Sequence, residues 1–293
     1  RGFKQMMEMV NWSRLSNAMR AAGIMRRCLL ESLVHARGRA AFGGALIALP
    51  LLRANLLEML LDAEAAASVV LNAAAAFDRM DAGSAEARTL FRVLTPLAKC
   101  WLTARARVVA GEAMNVRGGN GYVEDWVNAR LLRDSYLGAI WEGATNVVSL
   151  DVQRAILKDG GFGALAGLIN TRLDTVGEPA AKPCVDLVRT ALGDIGGPVD
   201  GWNALPRPER EVEARPVADA LYHTLAASLL LAEGQLLYQQ RGDFRKFLVA
   251  ALYVRRWLSP PAPPAPIFPP PALAWLEALV DWTPVPAEAL SAV

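Results

Sequence analysis

Apolar and polar positions alternate in the first half of the chain with the three- and four-residue spacing of amphipathic helices. This spacing runs from Trp12 to about Gly160, through a stretch rich in Ala, Leu, Arg and Glu. Four long helices and one shorter helix are predicted, over residues 13–37, 50–80, 85–116, 145–159 and 127–133. Short turns between long helices favour antiparallel neighbours. The pattern predicts an all-α fold, an antiparallel four-helix bundle over residues 13–159.

Local chemistry suggests where these helices begin and end. Ser13 is a candidate N-cap of the first helix, because its hydroxyl can accept a hydrogen bond from a free backbone N–H. Pro50 suits the first turn of the second helix, where its missing N–H is not needed. The three glycines of residues 118–121 favour a loop, since each costs about 1 kcal/mol relative to Ala in a helix interior.

The sequence changes character after Gly161, where proline and glycine separate shorter helical stretches near residues 182–192 and 215–240. The run SPPAPPAPIFPPP, residues 259–271, lacks the N–H donors that a helix needs. Residues 160–293 are therefore predicted to form a helical C-terminal extension that contains a Pro-rich, non-helical segment.

Composition argues against several classes of function. The 31 basic and 29 acidic side chains nearly cancel, which gives no electrostatic reason for a nucleic-acid or membrane-surface partner. Residues 160–293 hold eleven basic against fourteen acidic side chains, whereas phosphate binding needs clustered positive charge. The candidates for a local basic patch are Arg245, Lys246, Arg255 and Arg256. Apolar runs are interrupted by charges before the roughly 20 residues of a membrane span, and the three cysteines and two histidines lack metal-ligand spacing.

The most informative segment is residues 117–156, which joins a glycine-rich turn to an acidic residue followed by glycine at a helix start. Such a glycine turn allows a ligand to approach the backbone closely. Taken alone, the turn is more often purely structural, and an isolated glutamate at a helix start is more often a partner of the helix dipole.

Three motifs within this segment, GGNGY at 118–122, RLLRD at 130–134 and IWEG at 140–143, resemble in order and spacing the C-terminal signature of acyl-CoA dehydrogenases. Residues 13–23 and 35–47 resemble the family's first bundle helix and its Arg-x-x-Phe-Gly segment. The resemblance covers about residues 1–158. The opening RGF resembles the end of the family's middle β domain, so residues 1–12 are expected to be a lead-in and the N-terminal domains to lie outside this chain. Trp141, Asn146, the LDV of residues 150–152 and the long extension are closest to the DNA-alkylation-response branch.

The resemblance implies α,β-dehydrogenation of an acyl-CoA thioester, with Glu142 as the base that removes the α-proton. Some relatives carry the base at the position of Ser13, which cannot serve. The backbone N–H of Glu142 would help to stabilise the thioester oxygen. Arg14 matches a family arginine near the substrate, and Gly143 is expected to lie against the acyl-CoA.

The implied cofactor is FAD. Thr145 and Asn146 match flavin contacts directly after the base. A second set matches contacts to the FAD of a neighbouring subunit: Arg39, Phe42, Asn115, Gly118 and Gly119. An arginine suits the FAD pyrophosphate through its planar fork of donors.

The expected partners are an electron-transfer flavoprotein or similar acceptor and further copies of the chain in a dimer of dimers. The expected setting is fatty acid metabolism in the cytoplasm, and the chain alone is expected to be inactive. Two alternatives remain: a non-catalytic flavin-binding relative that acts in the DNA-alkylation response, and an oligomerisation module that uses the many alanines between residues 63 and 76.

Overall fold

The computed structural model describes residues 2–293, and helices dominate that range. Its first half contains α1 (Gly2–Gly38), α2 (Pro50–Asp81), α3 (Ala85–Arg117), α4 (Gly119–Tyr122), α5 (Val127–Ile140) and α6 (Thr145–Asp159). The central helix is α3, which contacts α1, α2, α5 and α6. This arrangement confirms the predicted all-α bundle and the predicted bounds of α2, α3 and α6 to within one residue.

The C-terminal extension is also helical and contains α7 (Gly161–Asp174), α8 (Lys182–Gly201), α9 (Arg207–Arg241), α10 (Arg245–Trp257), α11 (Pro270–Leu273) and α12 (Leu276–Asp281). Helix α9 packs on α2, α3, α6 and α7. Buried apolar side chains of the bundle and the extension form one continuous hydrophobic cluster. The extension is therefore part of the same packed body as the bundle.

Several predicted boundaries were wrong. The first helix begins at Gly2, so Ser13 is not its N-cap, and residues 2–12 are helical rather than the end of a β domain; Arg1 lies outside the described residues. Residues 2–12 contain no proline and are rich in Met, Lys, Gln and Glu, which favour helix. Residues 119–122 form a short helical turn instead of a loop. Helix α5 continues seven residues past its predicted end to Ile140.

The Pro-rich segment is non-helical from residue 259 to 269, as predicted, but its last two prolines begin α11. Proline is tolerated there because the first residues of a helix have no intrahelical acceptor for their N–H groups. The segment folds back onto the body of the protein, since Phe268 is buried and Arg255 Nε donates a 2.6 Å hydrogen bond to the Ile267 carbonyl oxygen.

Helix α2 is long and apolar enough to cross a membrane by length and composition, contrary to the expectation from the sequence. In the fold, 61% of the most apolar 18-residue stretch of α2 is buried inside the protein. Its alanines, among them Ala63, Ala66 and Ala73, are buried within the same chain. The small side chains therefore serve close packing of helices inside this molecule.

Candidate functional site

Glu142 lies in a four-residue turn that joins α5 to α6, and the backbone of this turn is strained. Glu142 has φ 55° and Gly143 has φ 99°, both in the left-handed region. A non-glycine residue in that region costs roughly 1–2 kcal/mol. A Cβ on Gly143 would also lie 3.1 Å from Val148 Cγ2. Such a conformation persists only where surrounding groups hold it in place.

Helix α1 supplies two of these groups. Ser13 Oγ donates a 2.9 Å hydrogen bond to Glu142 Oε1, and Arg14 Nε donates a 3.1 Å hydrogen bond to the Glu142 carbonyl oxygen. Arg14 is buried although it is charged. The structure thus brings Arg14, Gly143 and Glu142 together, because a Cβ built on Gly143 would lie 3.6 Å from Arg14 Nη2 as well.

Helix α3 supplies a third group, the ammonium of Lys99, which donates a hydrogen bond to the Gly143 carbonyl oxygen. The Lys99 side chain is fully buried. Burial is the main cause that lowers the pKa of Lys99 to about 8, and the nearby charge of Arg14 lowers it further. Two cationic side chains therefore hold two consecutive carbonyl groups of the turn.

A buried ion-pair network fixes Arg14. Its Nη1 lies 2.5 Å from Asp151 Oδ2, and Arg92 Nη2 lies 2.8 Å from Asp151 Oδ1. Burial tends to raise the pKa of the Asp151 carboxyl, but the charges and hydrogen bonds of Arg92 and Arg14 outweigh it, and the net pKa is lowered. The carboxylate is therefore held in its charged form, where it can orient both guanidinium groups.

The turn leaves a backbone donor available. In the described part of the chain, the Glu142 N–H has no hydrogen-bond acceptor. Trp141 beside it is 45% exposed, so it does not fill the bundle core, and Arg20 lies 5.9 Å from its ring centre. A half-buried carboxylate, a free N–H and an exposed aromatic ring therefore lie on two consecutive residues of the turn.

Thr145 and Asn146 begin α6 directly after the turn. Asn146 is exposed and Thr145 is half-buried. The N-terminus of a helix carries partial positive charge and free N–H groups, which favour an anionic or polar ligand. These two predicted cofactor residues therefore lie on the same end of the bundle as Glu142.

The second predicted set of cofactor residues lies elsewhere. Lys99, which contacts the Glu142 turn, and Asn115 lie on the same helix, α3. They are sixteen residues apart, and a rise of 1.5 Å per residue places them about 24 Å from each other. Asn115, Gly118 and Gly119 are exposed at the C-terminal end of α3. The structure does not bring them, or Arg39 and Phe42, near Glu142.

Phe42 lies at the tip of a two-stranded ribbon, β1 (Ala40–Ala41) and β2 (Gly44–Ala45), that connects α1 to α2. It has φ 54° and is 90% exposed. An open groove of about 490 Å³ lies between this tip and the end of α3, lined by Phe42, Leu49, Pro50, Leu51, Asn115 and Val116. Arg39 precedes the ribbon and is also exposed. The Phe42 ring therefore does not pack in the hydrophobic core of this chain.

Sequence reasoning missed Lys99, the ion pairs of Asp151 and the hydrogen bond from Ser13. A signal for Asp151 exists, since it lies three residues after buried Val148 and four before buried Ala155, on the inward face of α6. Lys99 interrupts the apolar run LTPLAKCWL. A single charge on an apolar helix face marks a buried polar contact, although it does not identify the partner.

The candidate basic patch is not present as free positive charge. Arg245 and Lys246 pair with Glu64, and Arg256 Nη2 lies 3.0 Å from Glu58 Oε1. Arg255 donates to the backbone carbonyl oxygens of residues 267 and 293. These four side chains stabilise the contact of the extension with itself and with α2.

Comparison with known proteins identifies close relatives of the bundle. Residues 1–157 match the family model described as acyl-CoA dehydrogenase, C-terminal domain. AidB of Escherichia coli is 34% identical over 160 residues, which are 55% of this chain and 29% of that protein. Acyl-CoA dehydrogenase family member 11 of Caenorhabditis elegans is 33% identical over 156 residues, 53% of this chain and 25% of that protein. The likeness to AidB agrees with the branch predicted from the sequence.

Solved structures extend the likeness beyond the bundle. The structure of C. elegans ACDH-11 in complex with C11-CoA matches with a TM-score of 0.79 and 25% identity, covering 87% of this chain and 44% of that one. This coverage reaches well past residue 157, so the extension shares its fold as well. An acyl-CoA dehydrogenase of Bacillus anthracis complexed with FAD matches in fold, with a TM-score of 0.74 at 19% identity, covering 86% of this chain and 47% of that one. The chain spans less than half the length of the relatives it matches here.

Proposed function

Since this chain belongs to the acyl-CoA dehydrogenase family, we propose that it forms the helical part of an FAD-dependent enzyme that introduces a double bond between the α and β carbons of an acyl-CoA thioester, with Glu142 as the base. The observation that carries the proposal is the turn of Glu142. Side chains from α1 and α3 hold it in a left-handed conformation, with its carboxylate half-buried at the end of α6.

The Glu142 carboxylate is arranged to accept a proton. Ser13 occupies Oε1 through its hydroxyl, so Oε2 is left to take the α-proton of the substrate. A positioned base of this kind accelerates proton removal by about 100- to 10,000-fold. The Ser13 hydrogen bond limits rotation of the carboxylate and keeps it oriented toward one face of the turn.

The free N–H of Glu142 is suited to the thioester carbonyl oxygen, on which negative charge develops as the α-proton leaves. Arg14 and Lys99 keep the neighbouring carbonyls turned inward. The turn therefore combines a base and an oxyanion donor within one residue. Gly143 follows immediately, and we expect its backbone to lie against the acyl-CoA.

The residues suited to FAD are in two groups. Thr145 and Asn146, at the start of α6, are placed to contact the flavin beside Glu142. The exposed ring of Phe42 and the exposed guanidinium of Arg39 fit an adenosine ring and a pyrophosphate, and the groove beside Asn115 has about 490 Å³ of space. Gly118 and Gly119 follow Asn115 by three and four residues and are also exposed. Because Asn115 lies about 24 Å by helix rise from Lys99, which contacts the Glu142 turn, we assign the second group to the FAD of a second copy.

When bound, FAD would supply the acceptor for the β-hydrogen, which leaves the substrate as hydride. An electron-transfer flavoprotein or similar acceptor then takes the electrons, and the assembly is a dimer of dimers. The residues of this chain bind, orient and deprotonate the substrate. A nucleic-acid-binding function is not supported, because the candidate basic side chains are engaged with acidic groups and backbone carbonyls.

The test is anaerobic flavin reduction by the protein expressed from its complete gene. Flavin absorbance is recorded before and after addition of acyl-CoAs that differ in chain length and branching. The proposal predicts bleaching by at least one of them and identification of the enoyl-CoA product by mass spectrometry. Bound flavin that no acyl-CoA reduces would overturn it.

A further inference from the structure

Lys99 is the one fully buried lysine in the described part of the chain, and its ammonium contacts the turn of Glu142. We infer that Lys99 is a positioning residue, which fixes the base by binding the Gly143 carbonyl oxygen from beneath the turn. The inference deepens the proposed function and rests on it for the catalytic consequence. The contact itself does not depend on that function.

The geometry shows why one cation is not enough. Arg14 holds the Glu142 carbonyl oxygen and thereby the peptide plane between residues 142 and 143. Lys99 holds the Gly143 carbonyl oxygen and thereby the next peptide plane. With both planes fixed, the two left-handed residues between α5 and α6 cannot relax to a more common conformation. Loss of either contact would allow the Glu142 carboxylate to move away from the substrate.

The surroundings of Lys99 argue against a role in stability alone. In residues 2–293 its hydrogen-bond acceptor is a backbone carbonyl, and it forms no ion pair with a carboxylate. Burying a lysine under these conditions is unfavourable. The charged groups that face it are Arg14 from α1 and Glu142 from the turn, with Cys100 beside it on α3. The charge of Arg14 lowers the pKa of Lys99 and the charge of Glu142 raises it. The charge state of Lys99 therefore depends on the charge of the base that it positions.

The lowered pKa of Lys99, about 8, gives the contact a measurable signature. Below this pH the Gly143 carbonyl oxygen has a charged donor, and above it the donor is a neutral amine. The carbonyl carbon of Gly143 should therefore titrate. The chain contains four Gly–Ala pairs, at residues 44–45, 138–139, 143–144 and 163–164. Labelling glycine carbonyl carbons with ¹³C and alanine nitrogens with ¹⁵N isolates these four signals.

The first experiment follows the four Gly–Ala signals of the 293-residue chain by NMR from pH 6 to 10. The inference predicts a titration of the Gly143–Ala144 signal with a midpoint near 8, which is lost in Lys99→Met and kept in Lys182→Met. Lys182 is a matched control, since it is exposed and pairs with Asp186. A Gly143 signal that stays flat, or one that titrates equally in Lys99→Met, overturns the inference whatever the flavin does.

The second experiment measures flavin bleaching and acyl-CoA binding in the same variants of the protein expressed from its complete gene. Lys99→Met should lower the maximal bleaching rate about 10- to 100-fold, the effect expected of a misplaced base, with acyl-CoA affinity within about two-fold of the parent. Lys99→Arg should recover part of the rate. Bleaching in the parent with an unchanged rate in Lys99→Met would overturn the inference alone. No bleaching in the parent would overturn the proposed function.

Discussion

Replacing Asp151 with asparagine removes the negative charge that joins Arg14 to Arg92 beneath the Glu142 turn. The carboxylate accepts from Arg14 at 2.5 Å and from Arg92 at 2.8 Å, and its side chain is 8% exposed. The Arg14 side chain is 6% exposed, so its guanidinium has little access to water. Asp151→Asn leaves a buried cation without its counter-ion.

Removing one partner of a buried ion pair costs about 3–5 kcal/mol, and we expect about 3 kcal/mol here because Arg92 is partly exposed and also pairs with Asp159. At about 2–4 °C for each kcal/mol in a domain of this size, the unfolding midpoint should fall by at least about 6 °C. Asp186→Asn is the control. Asp186 pairs with Lys182 on the surface, where loss of an ion pair costs at most about 1 kcal/mol.

The pH dependence gives a second check. The pKa of Asp151 is lowered from 3.8 in the fold, because Arg92 and Arg14 outweigh the effect of burial. A carboxyl with a lowered pKa contributes stability above its unfolded pKa and loses it as the pH falls through its folded pKa. The difference between parent and Asp151→Asn should therefore be constant above about pH 4 and shrink below it. A midpoint loss no larger than that of Asp186→Asn would refute the assigned network.

Further expectations concern stability, measured by thermal or urea unfolding. Lys99→Met should raise the stability by about 2 kcal/mol below pH 8, because the lowering of the Lys99 pKa from 10.5 to about 8 costs the parent about 3 kcal/mol and the lost hydrogen bond offsets about 1 kcal/mol of the gain. This gain should shrink as the pH rises from 8 to 10.5. A variant less stable than its parent at pH 7 would contradict the prediction. Gly121→Ala should lower the free energy of unfolding by about 1–3 kcal/mol, because the new Cβ would lie 2.4 Å from a backbone carbonyl oxygen. In the control Gly119→Ala the new Cβ meets nothing within 4 Å, and equal losses of stability in the two variants would contradict the packing argument. Arg245→Met should cost about 3 kcal/mol and speed proteolysis within the segment that follows Gly242, because buried Arg245 binds the Leu279 carbonyl oxygen. Unchanged proteolysis would show that this C-terminal segment is held in other ways.

The sequence predicted those helix bounds that depend on the local spacing of apolar residues and on residues that start or end a helix. The bounds of α2 follow from Pro50 and its apolar spacing, and those of α6 from Thr145 and Gly160. The start of α1 could not be predicted in this way. Ser13 has the chemistry of an N-cap, but its hydroxyl binds Glu142, 129 residues later, and the helix continues upstream.

The family resemblance identified Glu142, Arg14 and Gly143, and the structure brings these three residues together. It could not supply the groups that support them, because those contacts join distant positions. Lys99 reaches Gly143 across 44 residues, and Arg14 reaches Asp151 across 137. A charge on an apolar helix face predicts burial, whereas the identity of its partner depends on how the helices pack.

The central claim is that Glu142 is the base, and the most direct test compares flavin bleaching in the parent, Glu142→Gln and Glu124→Gln. Glu124 is a suitable control because it is exposed and pairs with Arg133 on the surface. With acyl-CoA binding verified in each protein, we predict a loss of about 100- to 10,000-fold in the bleaching rate for Glu142→Gln and a rate within about two-fold of the parent for Glu124→Gln. A Glu142→Gln protein that binds acyl-CoA and bleaches at the parent rate would contradict the account.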